Sequence, residues 1–152
     1  LNFSLLKFEN FLNKTLSQYV KIACVNINQK RLFIQESRNR YQQIGHVICP
    51  VLNQESIYFN SIGFKHLIRK KEKRNLDEQI FRLTLIPYAV PIITQRYVAV
   101  THRMYHVNGK EIHFWGMEKQ FKNRTIRVVI RQVGNGRKHL FSIMKNTSKN
   151  PA

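Results

Sequence analysis

Apolar positions recur every three or four residues in residues 3–22 and again between 61 and 90; from Arg96 onward they alternate with polar ones. That switch predicts helices first and a sheet afterwards. In residues 3–22, Leu5, Phe8, Leu12, Leu16 and Tyr19 mark one face of an amphipathic helix. Residues 26–43 are rich in Arg, Gln and Asn around a short LFI and read as a loosely ordered connection. GHVICPVLNQESIYFN reads as two short strands joined near Asn53, with Pro50 suited only to an edge. Ser61 is placed to cap a helix of about three turns. Its Phe64, Leu67 and Ile68 fall on one face, and His66, Arg69, Lys70 and Lys73 on the other. Asn75 with Glu78 resembles a capping pair opening a second helix over 76–90, apolar almost all round and ending near Pro87 to Pro91.

The alternating part predicts strands over 96–107, 110–117, 125–133 and 137–144, folded back at Asn108-Gly109 and Asn135-Gly136. A two-residue turn at Asn135-Gly136 sets Arg131 opposite Leu140, Gln132 opposite His139 and Val129 opposite Ser142. One face then holds Ile126, Val128, Ile130, Phe141 and Ile143 as core, with His139 on that side near the turn. The other holds Arg127, Arg131, Lys138 and Ser142, mixed with Val129 and Leu140. A one-residue slip exchanges the faces. The class is α+β, with N-terminal helices packed against a four-stranded antiparallel sheet. We read residues 59–145 as the domain proper, 1–58 as a helical and hairpin extension packed on or linked to it, and 146–152 as a frayed tail.

Charge changes the picture more than composition does. The 152 residues carry a formal net charge of +18, and 43% hydrophobic content gives them a real core. Residues 60–152 hold +14 of that charge and residues 1–59 only +4. Such self-repulsion points to a polyanionic partner, with RNA first, and to neutralisation by an acidic protein. No run reaches the roughly 18 apolar residues of a membrane span, and the first residues lack the basic flank and uninterrupted apolar centre of a signal peptide. The expectation is a cytoplasmic protein without membrane contact, with Cys24 and Cys49 as reduced thiols. Asp77 is the single aspartate and the seven glutamates are scattered, so no carboxylate cluster is visible to hold catalytic metal. Neither a metal nor another cofactor is expected.

FNSIGFKHLIRKKEKR, residues 59–74, sets one histidine at the head of six Lys/Arg and a single Glu. Either this is a solvated helix face, or an imidazole stands where phosphates arrive. An imidazole titrates near neutrality and suits general acid or base work. Arg69, Lys70, Lys73 and Arg74 are candidate phosphate contacts, as are Arg127 and Lys138 on the sheet. Arg131 is placed to stabilise charge on a phosphoryl oxygen, and Ser142 to hydrogen-bond it. Trp115, in HFWGM, reads as packing or as a stacking platform for single-stranded RNA. His102 and His106 share a strand face about 13 Å apart, too far for one zinc ion.

Taken in order, FNSIGFKHLIRKKEKR, EQIFRLTLI, FWGM and IRVVIRQVGNGRKHLFSIM resemble small proteins of bacterial and phage-borne elements. These are similar to the metal-independent ribonuclease toxins grouped with barnase, EndoU, the tRNA-cleaving colicins and RelE. The resemblance covers residues 59–145. It implies helices against a four-stranded antiparallel sheet and a site at His66, Lys70, Arg74, Arg131, His139 and Ser142, with Leu140 standing where an aromatic is more usual. The implied activity is metal-independent cleavage of RNA, in tRNA or in ribosome-bound mRNA, held in check by an acidic antitoxin or immunity protein. His66 is the expected base and His139 the expected acid. The alternative reading is a non-catalytic RNA-binding protein of a ribonucleoprotein or ribosome. A DNA-binding regulator is unsupported, because no helix-turn-helix spacing is present.

Overall fold

A computed structural model describes residues 26–69, 75–122 and 124–146. The helix expected over 3–22, Cys24, Lys70, Lys73, Arg74 and the tail beyond 146 lie outside the described residues.

The polar stretch expected to be loose is an 18-residue helix, α1, Ile27–Ile44. Its start is set by Asn26, whose side chain accepts hydrogen bonds from the backbone N–H groups of Asn28 and Gln29. Its end falls at Gly45, in the left-handed half of conformational space at φ 67. Only a narrow stripe of α1 is buried, at Ser37 and Tyr41. Tyr41 is fully buried, with its ring edge-on to Phe64 and tilted against Phe59. Lys30 reaches Asp77 at 2.6 Å and ties α1 to the helix beside it.

β1, His46–Cys49, and β2, Glu55–Tyr58, form the expected hairpin around a 3₁₀ turn at Pro50–Leu52. The next helix, α2, is Ser61–Leu67, two turns rather than three. Asn60, not Ser61, caps it by accepting the N–H of Gly63 at 2.9 Å. Phe64 and Leu67 are buried as expected. Asn75 accepts the N–H of Glu78 at 3.0 Å and opens α3, Leu76–Thr84. The continuous helix expected over 76–90 is broken into α3, a 3₁₀ turn at Ile86–Tyr88 and α4, Ala89–Ile93. Pro87 has no N–H to give the preceding turn, and Pro91 repeats the restriction.

Four strands complete the fold: β3, Val100–Val107; β4, Lys110–Phe121; β5, Arg124–Val133; β6, His139–Asn146. They form the expected antiparallel meander, but the sheet has six strands, in the order β1-β2-β6-β5-β4-β3. Tyr58 of β2 pairs in parallel with His139 of β6, which adds the β1–β2 hairpin and makes the sheet mixed. Tyr41, Cys49, Ile57 and Phe59 lie in one core with Ile130, Leu140 and Ile143, so residues 41–59 share the domain's interior. No described helix is long and apolar enough to cross a membrane.

The β5–β6 hairpin departs from its expected register in a way that matters. Asn108-Gly109 is a two-residue turn, with Val107 opposite Lys110. Asn135-Gly136 is not: Gly134 to Lys138 all lie outside the strands. Lys138 leaves the β5 ladder because its carbonyl accepts the N–H of Tyr58 at 2.9 Å and its ammonium pairs with Glu55. Arg131 therefore faces His139, and Ile130 faces Leu140. A bulge then restores the expected pairing of Val129 with Ser142 and leaves Phe141 as the extra residue. Leu140 fills the core in place of Phe141, and His139 moves to the side of Arg131, reversing the expected faces of these three residues.

Candidate functional site

Beyond the helices the sheet presents a second face, and adjacent-strand pairing fixes what stands there. Arg103, Phe114, Arg131 and His139 form one row across β3 to β6. Thr101, Gly116, Val129 and Ser142 form the next. Glu118 and Arg127 follow beyond them.

The bulge delivers Phe141 to this face. Its ring lies 5.3 Å from that of Phe114, and the Arg131 guanidinium sits 5.2 Å from its centre. Arg131 also stands 5.9 Å from the Phe114 ring, so two aromatic faces hold the guanidinium in place. α2 lays His66 on the same Phe141 ring, stacked with the ring centroids 3.7 Å apart and the planes 22° to each other. Gly63 permits that approach: a Cβ there would clash with the Leu140 carbonyl oxygen and crowd the Tyr41 hydroxyl. His66 and Arg131, distant in sequence, are thus brought together on one phenylalanine.

His139 completes the group. It is 5% exposed, and burial pulls its pKa below the usual histidine value; the Arg137 carbonyl opposes that shift and the Arg131 charge adds to it. The Arg137 carbonyl, 3.5 Å from Nδ1, only accepts, so it suits the tautomer with the proton on Nδ1, in which Nε2 is an acceptor. Nε2 is buried without a hydrogen-bond partner among the described residues, as is Arg131 Nε. Ser142 is buried, one strand from Val129 on the same face.

The other expected contacts divide. Arg127 is on the same face but engaged, donating to Glu118 and to Thr101 at 2.9 Å each. Arg69 is exposed just past the end of α2. Lys138 is not on this face: it is 9% exposed, paired with Glu55, with its ammonium 4.9 Å from the Trp115 ring. Trp115 pairs with the core residue Ile130 and stacks with His102 and His113, so it stands on the far side of the sheet from Arg131. Both are removed from the site. Sequence reasoning missed Arg103, Phe114 and Phe141. Carrying the Asn108-Gly109 register across β3 and β4 would have aligned the first two, whereas no local signal announces the bulge that exposes Phe141.

Compared with protein-family models, with curated proteins and with solved structures, the chain matches none.

Proposed function

We propose that the protein is a metal-independent endoribonuclease acting at the surface shared by His66, Phe141 and Arg131, in the manner of the ribonuclease toxins it resembles. The observation that carries the reading is the contact of the imidazole and the guanidinium with one aromatic ring. A ribose 2′-hydroxyl loses its proton to an imidazole, its oxygen attacks the adjacent phosphorus, and the P–O5′ bond breaks. The products are a 2′,3′-cyclic phosphate and a 5′-hydroxyl, with a proton returned to the leaving oxygen. Arg131 stabilises the charge that grows on the phosphoryl oxygens. The lowered pKa of His139 and its bare Nε2 favour the base role for this residue, and His66, half-buried at the rim, takes the acid role. This exchanges the roles expected from the sequence. An acidic protein covering the basic face is the fitting inhibitor.

One observation favours a second reading. His139 Nε2 is closed to solvent, and the arginine-aromatic row needs no histidine to hold RNA. On that reading the face binds RNA and leaves it intact. Incubation of the purified chain with end-labelled tRNA in EDTA separates the two. Catalysis gives discrete fragments with 2′,3′-cyclic phosphate ends, leaves DNA whole, and loses about 10²-fold or more in His66→Ala. Stable binding with no fragments would falsify the enzyme reading and leave the binding one.

A further inference from the structure

Toward β3 the same face sinks into a pocket of about 490 Å³, within the range of small-ligand sites. The pocket is separate from the contacts of His66, and its floor is Gly116 with Val129. Tyr105 and Phe114 form one wall, their rings 6.0 Å apart and 73° to each other. Arg127 and Thr101 form the opposite wall, and Arg103 stands on the rim, on the exposed edge strand.

Each wall is fixed for a reason. Glu118 and Thr101 hold the Arg127 guanidinium across Gly116. A Cβ at Gly116 would collide with Arg127 Nη2 and lie 2.6 Å from Thr101 Oγ1, so the glycine keeps both the floor and the arginine pose. Arg103 is exposed and has no carboxylate partner among the described residues. A concave site with Tyr105 and Phe114 in its wall and Arg103 paired across from Phe114 at its rim matches a group that is flat and apolar in one part and anionic in another. Phe114 is also one of the two rings that hold Arg131, so the pocket adjoins the proposed cleavage point.

We infer that this pocket binds one nucleotide of single-stranded RNA next to the scissile phosphate, packing its base against the wall formed by Tyr105 and Phe114 and holding its phosphate at Arg103. The inference rests on the RNA-directed reading of the face, yet it concerns binding at residues outside the proposed chemistry. It predicts that cleavage or binding depends on base identity at one flanking position.

The test is binding of AMP, GMP, UMP and CMP, with inorganic phosphate as the comparison, followed by amide chemical shifts of the full chain. Nucleotides should perturb Tyr105, Phe114 and Gly116 and bind more tightly than phosphate. Tyr105→Leu and Arg103→Gln should each weaken nucleotide binding about ten- to hundredfold. Lys65→Ala, on the exposed side of α2 and outside both the pocket and the proposed chemistry, should bind nucleotides like the parent. The fold is checked by an unchanged thermal midpoint, which both exposed edge-strand positions should allow. Equal affinity for phosphate and nucleotides, or indifference to Tyr105→Leu, overturns the pocket assignment. Normal nucleotide binding with no RNA cleavage overturns the enzyme reading alone, so the two failures are distinguishable.

Discussion

Few residues are as constrained as His139. It sits between Arg131 and Tyr58 in the sheet, where burial lowers its pKa, and that shift has a measurable consequence for stability. Its folded pKa lies below the usual 6.5, so on acidification the unfolded chain takes up a proton before the folded chain does. Where the unfolded state binds more protons, stability falls as pH falls. The stabilising contribution is present above about 6.5 and is lost between that value and the lower folded pKa. His139→Gln removes the term, so the parent should lose more thermal stability than the variant between pH 7 and pH 5. Parallel losses in the two proteins would show that the imidazole is not held neutral. Arg131 belongs to the same scale. A lysine there keeps the charge but loses the planar group held between Phe114 and Phe141, so the exchange is not conservative.

Among the elements, the docking of α2 on β6 decides whether a site exists, and Gly63 decides the docking. The obstacle to a side chain there is a backbone carbonyl, that of Leu140, which cannot swing aside as a flexible side chain would. Gly63→Ala should therefore destabilise by about 1–3 kcal/mol in chemical denaturation, through overpacking. It should also reduce RNA cleavage beyond any loss of folded protein, because α2 carries His66 away from Phe141. Lys65→Ala, on the exposed side of the same helix, should move stability by no more than about 0.5 kcal/mol. A neutral Gly63→Ala would mean that α2 can shift freely and that the ring stack is incidental. This contact also shows where the sequence was legible. The stripe of Phe64 and Leu67, the Asn75 cap and the Asn108-Gly109 turn each depend on neighbours a few residues away, and each is found where the pattern put it. The meander of four strands follows from the same local signals. α1 was missed because its buried stripe is as narrow as Ser37 and Tyr41, although Asn26 offered a cap. The six-stranded order was missed because Tyr58 and Lys138 meet across eighty residues of chain, and nothing local specifies a parallel partner. That same meeting sends Lys138 away from the site and forces the bulge that brings Phe141 into it.

At the scale of the whole molecule, the charge of +18 attracts any polyanion, so affinity alone says little about where RNA lands. The salt dependence says more. Each phosphate contact with a single strand contributes a slope of about −0.7 in log affinity against log salt. Arg103 stands on the face opposite the helices, and Lys145 on β6 pairs with the core residue Ile126 and so points to the other side. Both carry one positive charge, and both variants lower the net charge equally. If the arginine-aromatic face is the landing surface, Arg103→Gln should flatten the slope by about one contact, while Lys145→Gln lowers affinity a little and leaves the slope alone. The measurement is fluorescence anisotropy from 50 to 200 mM salt with a 2′-O-methyl RNA, which lacks the free nucleophile and stays intact during titration. Equal changes in the two variants would mean that RNA is held by the diffuse field of the molecule rather than by this face. The site around Phe141 would then have no claim on the substrate.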